Sequence, residues 1–447
     1  MWFLEIIEYL KSPYLVATVQ EFFGIQINYK TKRSNSFRLS DNKEQNGYIK
    51  ADMSFSKESS LNDLECSSNR CLMKLKSQEF IIKNRFWYYL FLFGTELGDE
   101  IFYSAFIPFW FWNIDGAVGR RVVLVWAIVM SIGKVIHLTY ILQRLFSQYS
   151  ISKSYYYYYY YYYYLIGQAL KDVIRWPRPA CPPAVRLQNK WSEEYGMPST
   201  HAMIGISIPF SVLIFTMNRY IYSFPIGSTI AFFWCTLVCT SRLYLGMHTV
   251  LDIAAGIILA IMLMIPLIPT VDALDYYIVT NLWVLTLLIL ISVTAVVYYP
   301  CSNKWTPTRG DTTMVVSVTA GVHAGAWLNY KTGALSLSLL PPPYDIIWPS
   351  YRMSGCMILR TILGFSSVIG TKAICKSLCY TVICAVLKVN PNELMESENY
   401  LENKRKIFTD LVYKYLTCFM IGVNTVYLLP NVFTIIGIER PTFYTEL

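Results

Sequence analysis

Apolar residues fall along this chain in long blocks, without the 3.6-residue alternation with polar positions that marks the helices of a soluble protein. Blocks at 202–218, 222–240, 250–270 and 277–298 each approach or reach the length needed to cross a bilayer. Tyr276-Tyr277 and Tyr298-Tyr299 bracket the last of them as an interfacial aromatic belt does. Weaker blocks follow at 313–329, 354–371 and 411–437, with the loop Pro341-Pro342-Pro343 between two of them. Residues 372–388, flanked or entered by Lys372, Lys376 and Lys388, read either as a further span or as an interfacial helix. Upstream, the aromatic run 86–112 is long enough to span but carries Glu96, Asp99 and Glu100 in its middle. Such carboxylates either face a bundle interior or mark a break or re-entrant helix. The pattern predicts an all-α polytopic membrane protein with about eight to ten transmembrane helices.

Two stretches do not fit that rhythm. Residues 1–25 alternate apolar positions with occasional charge, as a short amphipathic surface helix does, and residues 27–85 are a polar, Ser/Asn/Lys-rich flexible tail. Little functional content is legible in either. The apolar segment 122–133 is too short to cross alone, and ten consecutive tyrosines, Tyr155–Tyr164, follow a moderately polar stretch. Removing residues 134–167 would fuse 122–133 to Gln168-Ala169-Leu170 in one span-length helix ending on Lys171. The segment therefore reads as an insertion, with a tyrosine belt at the interface as the alternative. The resulting organisation is a polar N-terminal part, 1–85, a membrane core, 86–270, containing the 134–167 insertion, and additional helices over 271–447.

Composition supports the membrane assignment: 54% of the 447 residues are apolar and only 15% charged, with a mean hydropathy of +0.36. The net charge of +9 lies in loops between apolar blocks, where it sets membrane orientation, so nucleic acid is not expected as a partner. The eleven cysteines show no metal-ligand spacing. Cys235, Cys239, Cys356, Cys384 and Cys418 lie in apolar runs, and Cys66 and Cys71 are either free thiols or a local disulfide.

Three polar clusters stand out from this background: Lys171-Asp172-Val173-Ile174-Arg175-Trp176-Pro177-Arg178-Pro179, Pro198-Ser199-Thr200-His201, and Ser241-Arg242 followed by His248 and Asp252. All sit at the ends of apolar blocks. The first two bound one loop, and two spans separate the second from the third, so parity returns all three to one membrane face. Lys171, Arg178 and Arg242 suit a phosphate, the guanidinium groups binding two oxygens at once. Ser199 and the backbone N–H groups near Ser199 and Thr200 complete a cradle. His248 and Asp252, at i and i+4, allow the carboxylate to hold one ring nitrogen and leave the other as a nucleophile, with His201 available as an acid. Arg175 and Trp176 read as interface anchors, and His323, inside a later apolar block, as a helix-contact histidine.

These strings, Lys-x6-Arg-Pro, Pro-Ser-x-His and Ser-Arg-x5-His-x3-Asp in that order, resemble the signature of the type 2 phosphatidic acid phosphatase (PAP2) superfamily. Thr200 replaces the usual Gly, and the fuller strings Tyr-Gly-Met-Pro-Ser-Thr-His and Ser-Arg-Leu-Tyr-Leu-Gly-Met-His are similar to the sphingosine-1-phosphate phosphatase branch. The resemblance, looser over roughly residues 80–440, implies a helical membrane core and a phosphatase that uses no metal or other cofactor. It further implies that His248 attacks phosphorus to form a phosphohistidine, that His201 protonates the departing alcohol, and that the enzyme resides in the endoplasmic reticulum. The Arg120-Arg121 pair, one span away, favours a lumenal catalytic face. Three functions are in competition: hydrolysis of sphingoid-base phosphates, the same chemistry on phosphatidate, a polyprenyl phosphate or a sugar phosphate, and lipid binding without turnover in a transporter or scaffold.

Overall fold

The structure is a computed structural model, and it describes residues 2–27, 80–130, 176–188, 195–299, 307–338, 341–387 and 404–447. Lys171, Arg175, His137, the Cys66/Cys71 pair and the 134–167 segment with its tyrosine tract lie outside the described residues.

The chain is a helical membrane protein. In chain order the helices are α1 (Trp2–Lys11), α2 (Pro13–Phe22), α3 (Arg85–Glu96), α4 (Glu100–Asn113), α5 (116–130), α6 (Thr200–Met217), α7 (Phe224–Tyr244), α8 (Val250–Thr280), α9 (Leu282–Val297), α10 (Pro307–Lys331), α11 (Tyr351–Leu387) and α12 (Lys404–Val423). A π-helical turn, Asn424–Leu428, leads from α12 into α13 (Leu429–Ile436). Among the described residues five helices are long and apolar enough to cross a membrane: α6, α7, α8, most of α11, and the run from α12 to α13. Leu282–Val297 adds a shorter apolar helix. Helix α10 is long enough but polar, and Thr312, Thr313, Ser317, Thr319 and His323 along it are all buried against neighbours.

Several boundaries differ from those the apolar blocks predict, each for a local reason. The run 86–112 is broken at Leu97–Asp99, so Glu96, Asp99 and Glu100 mark the junction of two short helices. The block read over 250–270 does not stop at 270. Helix α8 continues to Thr280, because neighbouring helices tolerate prolines inside a span, and Asn281 starts α9 by accepting the Trp283 N–H at 2.9 Å. Segments 354–371 and 372–388 are one 37-residue helix with Lys372 and Lys376 on its exposed side. The N-terminal part is not wholly a tail: α1 and α2 pack on the core, and Ile25–Ile27 pairs antiparallel with Phe80–Ile82, a small two-stranded departure from an all-α chain.

Helices α6, α7 and α8 form the unit that presents the motifs. Ser199 caps α6, its hydroxyl accepting the Ala202 N–H at 3.4 Å. Thr249 and Asp252 cap α8 reciprocally, with Asp252 N donating to Thr249 Oγ1 at 3.2 Å and Thr249 N donating to Asp252 Oδ2 at 2.7 Å. Helix α7 runs antiparallel to both, so its C-terminal end meets their N-termini.

The opposite ends of the same helices are tied by buried ion pairs. Arg120 on α5 forks onto Asp275 near the end of α8 at 3.1 and 3.2 Å, and His323 Nε2 lies 3.4 Å from the same carboxylate. Arg219, just past α6, and Tyr220 donate to Asp115 at 2.9 and 2.7 Å. Glu446 accepts the Gly116 N–H at 2.6 Å and pairs with Arg440. Burial alone would raise the Asp115 carboxyl, but Arg219, the Val118 N–H and Tyr220 hold it below its ordinary range. At Glu446 burial outweighs the Arg440 charge and the carboxyl is raised.

Candidate active site

The described parts of the three clusters converge where the N-termini of α6 and α8 meet the C-terminal end of α7. Ser199 N donates to Asp252 O at 3.1 Å. A side chain built on Gly256 would strike Ser199 O at 2.6 Å, so the first turns of α6 and α8 touch. Two helix N-termini thus lie side by side, and their partial positive charges add in favour of an anion. The Ser199 N–H does not serve a phosphate in this arrangement, because the Asp252 carbonyl holds it; Thr200 and His201 open the helix beyond it.

His248 stands in the turn between α7 and α8, 1% exposed, with Asp252 fully buried. Its Nδ1 lies 3.8 Å from Asp252 Oδ2, an ion-pair separation longer than a hydrogen bond. Its Nε2 faces the other way, 3.5 Å from Arg178 Nη1. The ring therefore has a carboxylate on one side and a guanidinium on the other. Arg178 is itself held by donation to Met247 O at 2.7 Å, one residue before His248. Arg242, in the last turn of α7, is 1% exposed with Nη1 3.5 Å from Gln188 Oε1. Its neighbour Ser241 has a structural place: its hydroxyl accepts from Thr95 Oγ1 at 2.9 Å and donates to Val238 O at 2.6 Å.

His201 is half-buried in the first turn of α6 and packs on the α3–α4 junction, where a methyl group on Gly98 would meet its Cδ2 at 2.8 Å. The junction seen in sequence as a puzzling run of carboxylates is thus the wall against the second cluster. Gly196 is a further residue whose role was not apparent: its N–H donates to Trp176 O at 2.7 Å, and a Cβ there would lie 3.1 Å from Pro177 O and 3.2 Å from Asp252 Oδ2. A side chain there would press on both by a few tenths of an ångström, so glycine eases the close approach of the first cluster to the third. The structure brings together Arg178, Ser199, Thr200, Arg242, His248 and Asp252 in one face of the bundle, with His201 in the same first turn as Thr200; Lys171 is outside the described residues.

An imidazole beside a guanidinium, with two helix N-termini converging nearby, is equipped to bind a phosphoryl group and attack it. Comparison with known proteins agrees. The family model of the PAP2 superfamily matches residues 153–276. Sphingosine-1-phosphate phosphatase 1 of Rattus norvegicus is 33% identical over 353 residues, covering 79% of this chain and 73% of its own length. Sphingosine-1-phosphate phosphatase 2 of Homo sapiens is 32% identical over 363 residues, 81% of each chain. No solved structure matches this chain.

Proposed function

From the premise that the chain belongs to the PAP2 superfamily, alongside the sphingosine-1-phosphate phosphatases, we propose that it hydrolyses sphingoid-base phosphates in the membrane through His248. The single observation that carries the assignment of roles is the orientation of His248, with Nδ1 toward Asp252 and Nε2 toward Arg178. Arg178 and Arg242, with Lys171, neutralise the phosphate, while Ser199 and Thr200 bring the N-terminus of α6 to it. Nε2 attacks phosphorus in line with the ester oxygen. The N–P bond forms as the P–O bond to the sphingoid alcohol breaks, and His201 gives its proton to that oxygen. His201, now neutral, takes a proton from water, whose oxygen displaces His248 from phosphorus and releases inorganic phosphate.

The substrate's apolar tail lies in the bilayer between helices, with its phosphate at the face formed by α6, α7 and α8. We place the enzyme in the endoplasmic reticulum membrane with this face lumenal. What supports that orientation is the Arg120-Arg121 pair at the far end of the core, because basic residues beside span ends stay cytosolic.

The test is phosphate release by purified protein in lipid, across sphingosine 1-phosphate, dihydrosphingosine 1-phosphate, phosphatidate and a polyprenyl phosphate. Preference for the sphingoid phosphates is expected, together with loss of all turnover and of the acid-labile phosphoenzyme in His248→Ala. Equal rates on phosphatidate would refute the substrate assignment, and undiminished release by His248→Ala would refute the enzymatic one.

A further inference from the structure

The N-terminal helices look, from sequence, like a surface anchor, and their outer side fits that role: Trp2, Leu4, Tyr9, Tyr14 and Phe22 are between 64% and 82% exposed. Their inner side does something more specific. Helix α2 starts at the Ser12 cap with Pro13 in its first turn, and its buried residues are Val16 and Gln20, four apart on one face. A glutamine on the buried face of an interfacial helix needs partners. Gln20, 2% exposed, has three. Its Nε2 donates to Val185 O at 2.6 Å and to Tyr244 O at 2.8 Å, and its Oε1 accepts the Val185 N–H at 2.8 Å. Two carbonyl oxygens and one N–H leave the amide a single satisfactory orientation.

Those partners are the two pieces of chain that carry the phosphate-binding arginines. Tyr244 ends α7, two residues after Arg242. Val185 lies between Arg178 and Gln188, the residue facing Arg242 Nη1. The same two pieces touch beside the glutamine, where Leu187 N donates to Leu245 O at 3.1 Å. Gly246, at φ +67°, lets them close: a Cβ there would lie 2.2 Å from Val185 O and 3.1 Å from Gln20 Nε2. A second contact of the N-terminal helices, Lys11 Nζ 4.8 Å from the Trp176 ring centroid, reaches the residues just before Arg178.

Resting on the phosphatase assignment above, we propose that Gln20 is a positioning residue for the reaction: it clamps the Arg178 loop to the end of α7, so that the two guanidinium groups meet one phosphate at a set spacing. Gln20 does not touch the substrate. A helix that lies 165 residues before Val185 in sequence, outside the matched family region, thereby sets the geometry of the cradle.

The experiment compares the full chain with Gln20→Met, which keeps length and packing but removes all three hydrogen bonds, and with Gln20→Glu. For Gln20→Met, kcat/KM falls about tenfold on a bilayer-borne sphingoid-base phosphate and equally on a short-chain, water-soluble one, and the inhibition constant of orthovanadate rises by the same factor. In Gln20→Glu the ionised carboxylate opposes both carbonyl oxygens, whereas the protonated form donates to one and still accepts from Val185 N. Its activity relative to the parent therefore falls as the pH rises from about 5 to about 8, a dependence that loss of a mere anchor would not produce. Gln20→Met within twofold of the parent on both substrates, or a loss confined to the bilayer substrate, overturns the proposal and leaves α2 a membrane contact. Should Gln20→Met not fold, a flat pH ratio for Gln20→Glu overturns it instead. If the parent releases no phosphate at all, the phosphatase assignment fails separately. The rise in melting temperature on adding orthovanadate then reads the cradle directly, and an equal rise in parent and Gln20→Met overturns the clamp.

Discussion

In the proposed reaction Asp252 has two tasks that substitution can separate. Its Oδ2 accepts the Thr249 N–H at 2.7 Å and so caps α8, and the same oxygen lies 3.8 Å from His248 Nδ1. Asp252→Asn keeps an oxygen for the cap, since an amide turned to present its NH2 would oppose the Thr249 N–H, but it removes the charge. During attack on phosphorus the imidazole becomes cationic, and a carboxylate 3.8 Å away at an effective dielectric of 20 stabilises it by about 4 kcal/mol. Water and the nearby Arg178 reduce that value, so kcat is expected to fall roughly 10²- to 10³-fold, with little change in melting temperature. Asp252→Ala loses the cap as well and should add about 1 kcal/mol of destabilisation to a similar kinetic defect. Rapid-quench measurement of acid-labile phosphoenzyme locates the loss in the first chemical step. Turnover by Asp252→Asn within threefold of the parent would refute the electrostatic role. Inactivity as deep as that of His248→Ala would refute the division between a nucleophile and its orienting partner.

Arg178→Lys removes a planar fork that already gives one N–H to Met247 O at 2.7 Å; an ammonium placed there serves either the carbonyl or the phosphate, and KM and the orthovanadate inhibition constant should both rise about tenfold. Asp115→Asn tests the opposite face. It leaves Arg219, 8% exposed, without its charge partner, which should cost about 3 kcal/mol of stability while kcat/KM stays within twofold. The sign with pH follows from the lowered carboxyl of Asp115. Its contribution is complete above the unfolded value of 3.8 and is lost as the pH falls through the lower folded value, so the gap in melting temperature between parent and Asp115→Asn should hold near neutrality and close in acid.

How much of this was legible in the sequence depends on the range of the interaction. The membrane-helical class and the three clusters could be read directly, because span length and motif spacing are local properties of the chain. Parity alone placed the clusters on one face. Helix ends were less readable: the apolar block 250–270 continues through Pro266 and Pro269 to Thr280, because packing against neighbouring helices lets the span run on past its apolar part. Arg120 reads as a loop cation and is a buried partner of Asp275, a pairing across 155 residues that no local pattern announces. Gln20 shows the same limit most sharply. One polar residue on an amphipathic helix gives no hint that it bridges two distant backbone segments, and only its placement on the same helical face as the buried Val16 could have raised the question.

The two ends of the α6–α8 unit explain one another. At the candidate site, the helix N-termini, Arg178 and Arg242 gather positive potential beside His248, with Asp252 the carboxylate facing it, an arrangement that favours an incoming anion. At the other end the same helices are locked by Arg120–Asp275 and Arg219–Asp115, pairs whose charges balance and whose burial makes breaking either one costly. The catalytic end is braced from outside by Gln20 and by the glycine contacts at Gly98 and Gly196. On the proposed reading, a rigid far end and an external clamp together let the cradle keep its shape before phosphate binds, and this preorganisation is what electrostatic stabilisation of phosphoryl transfer requires.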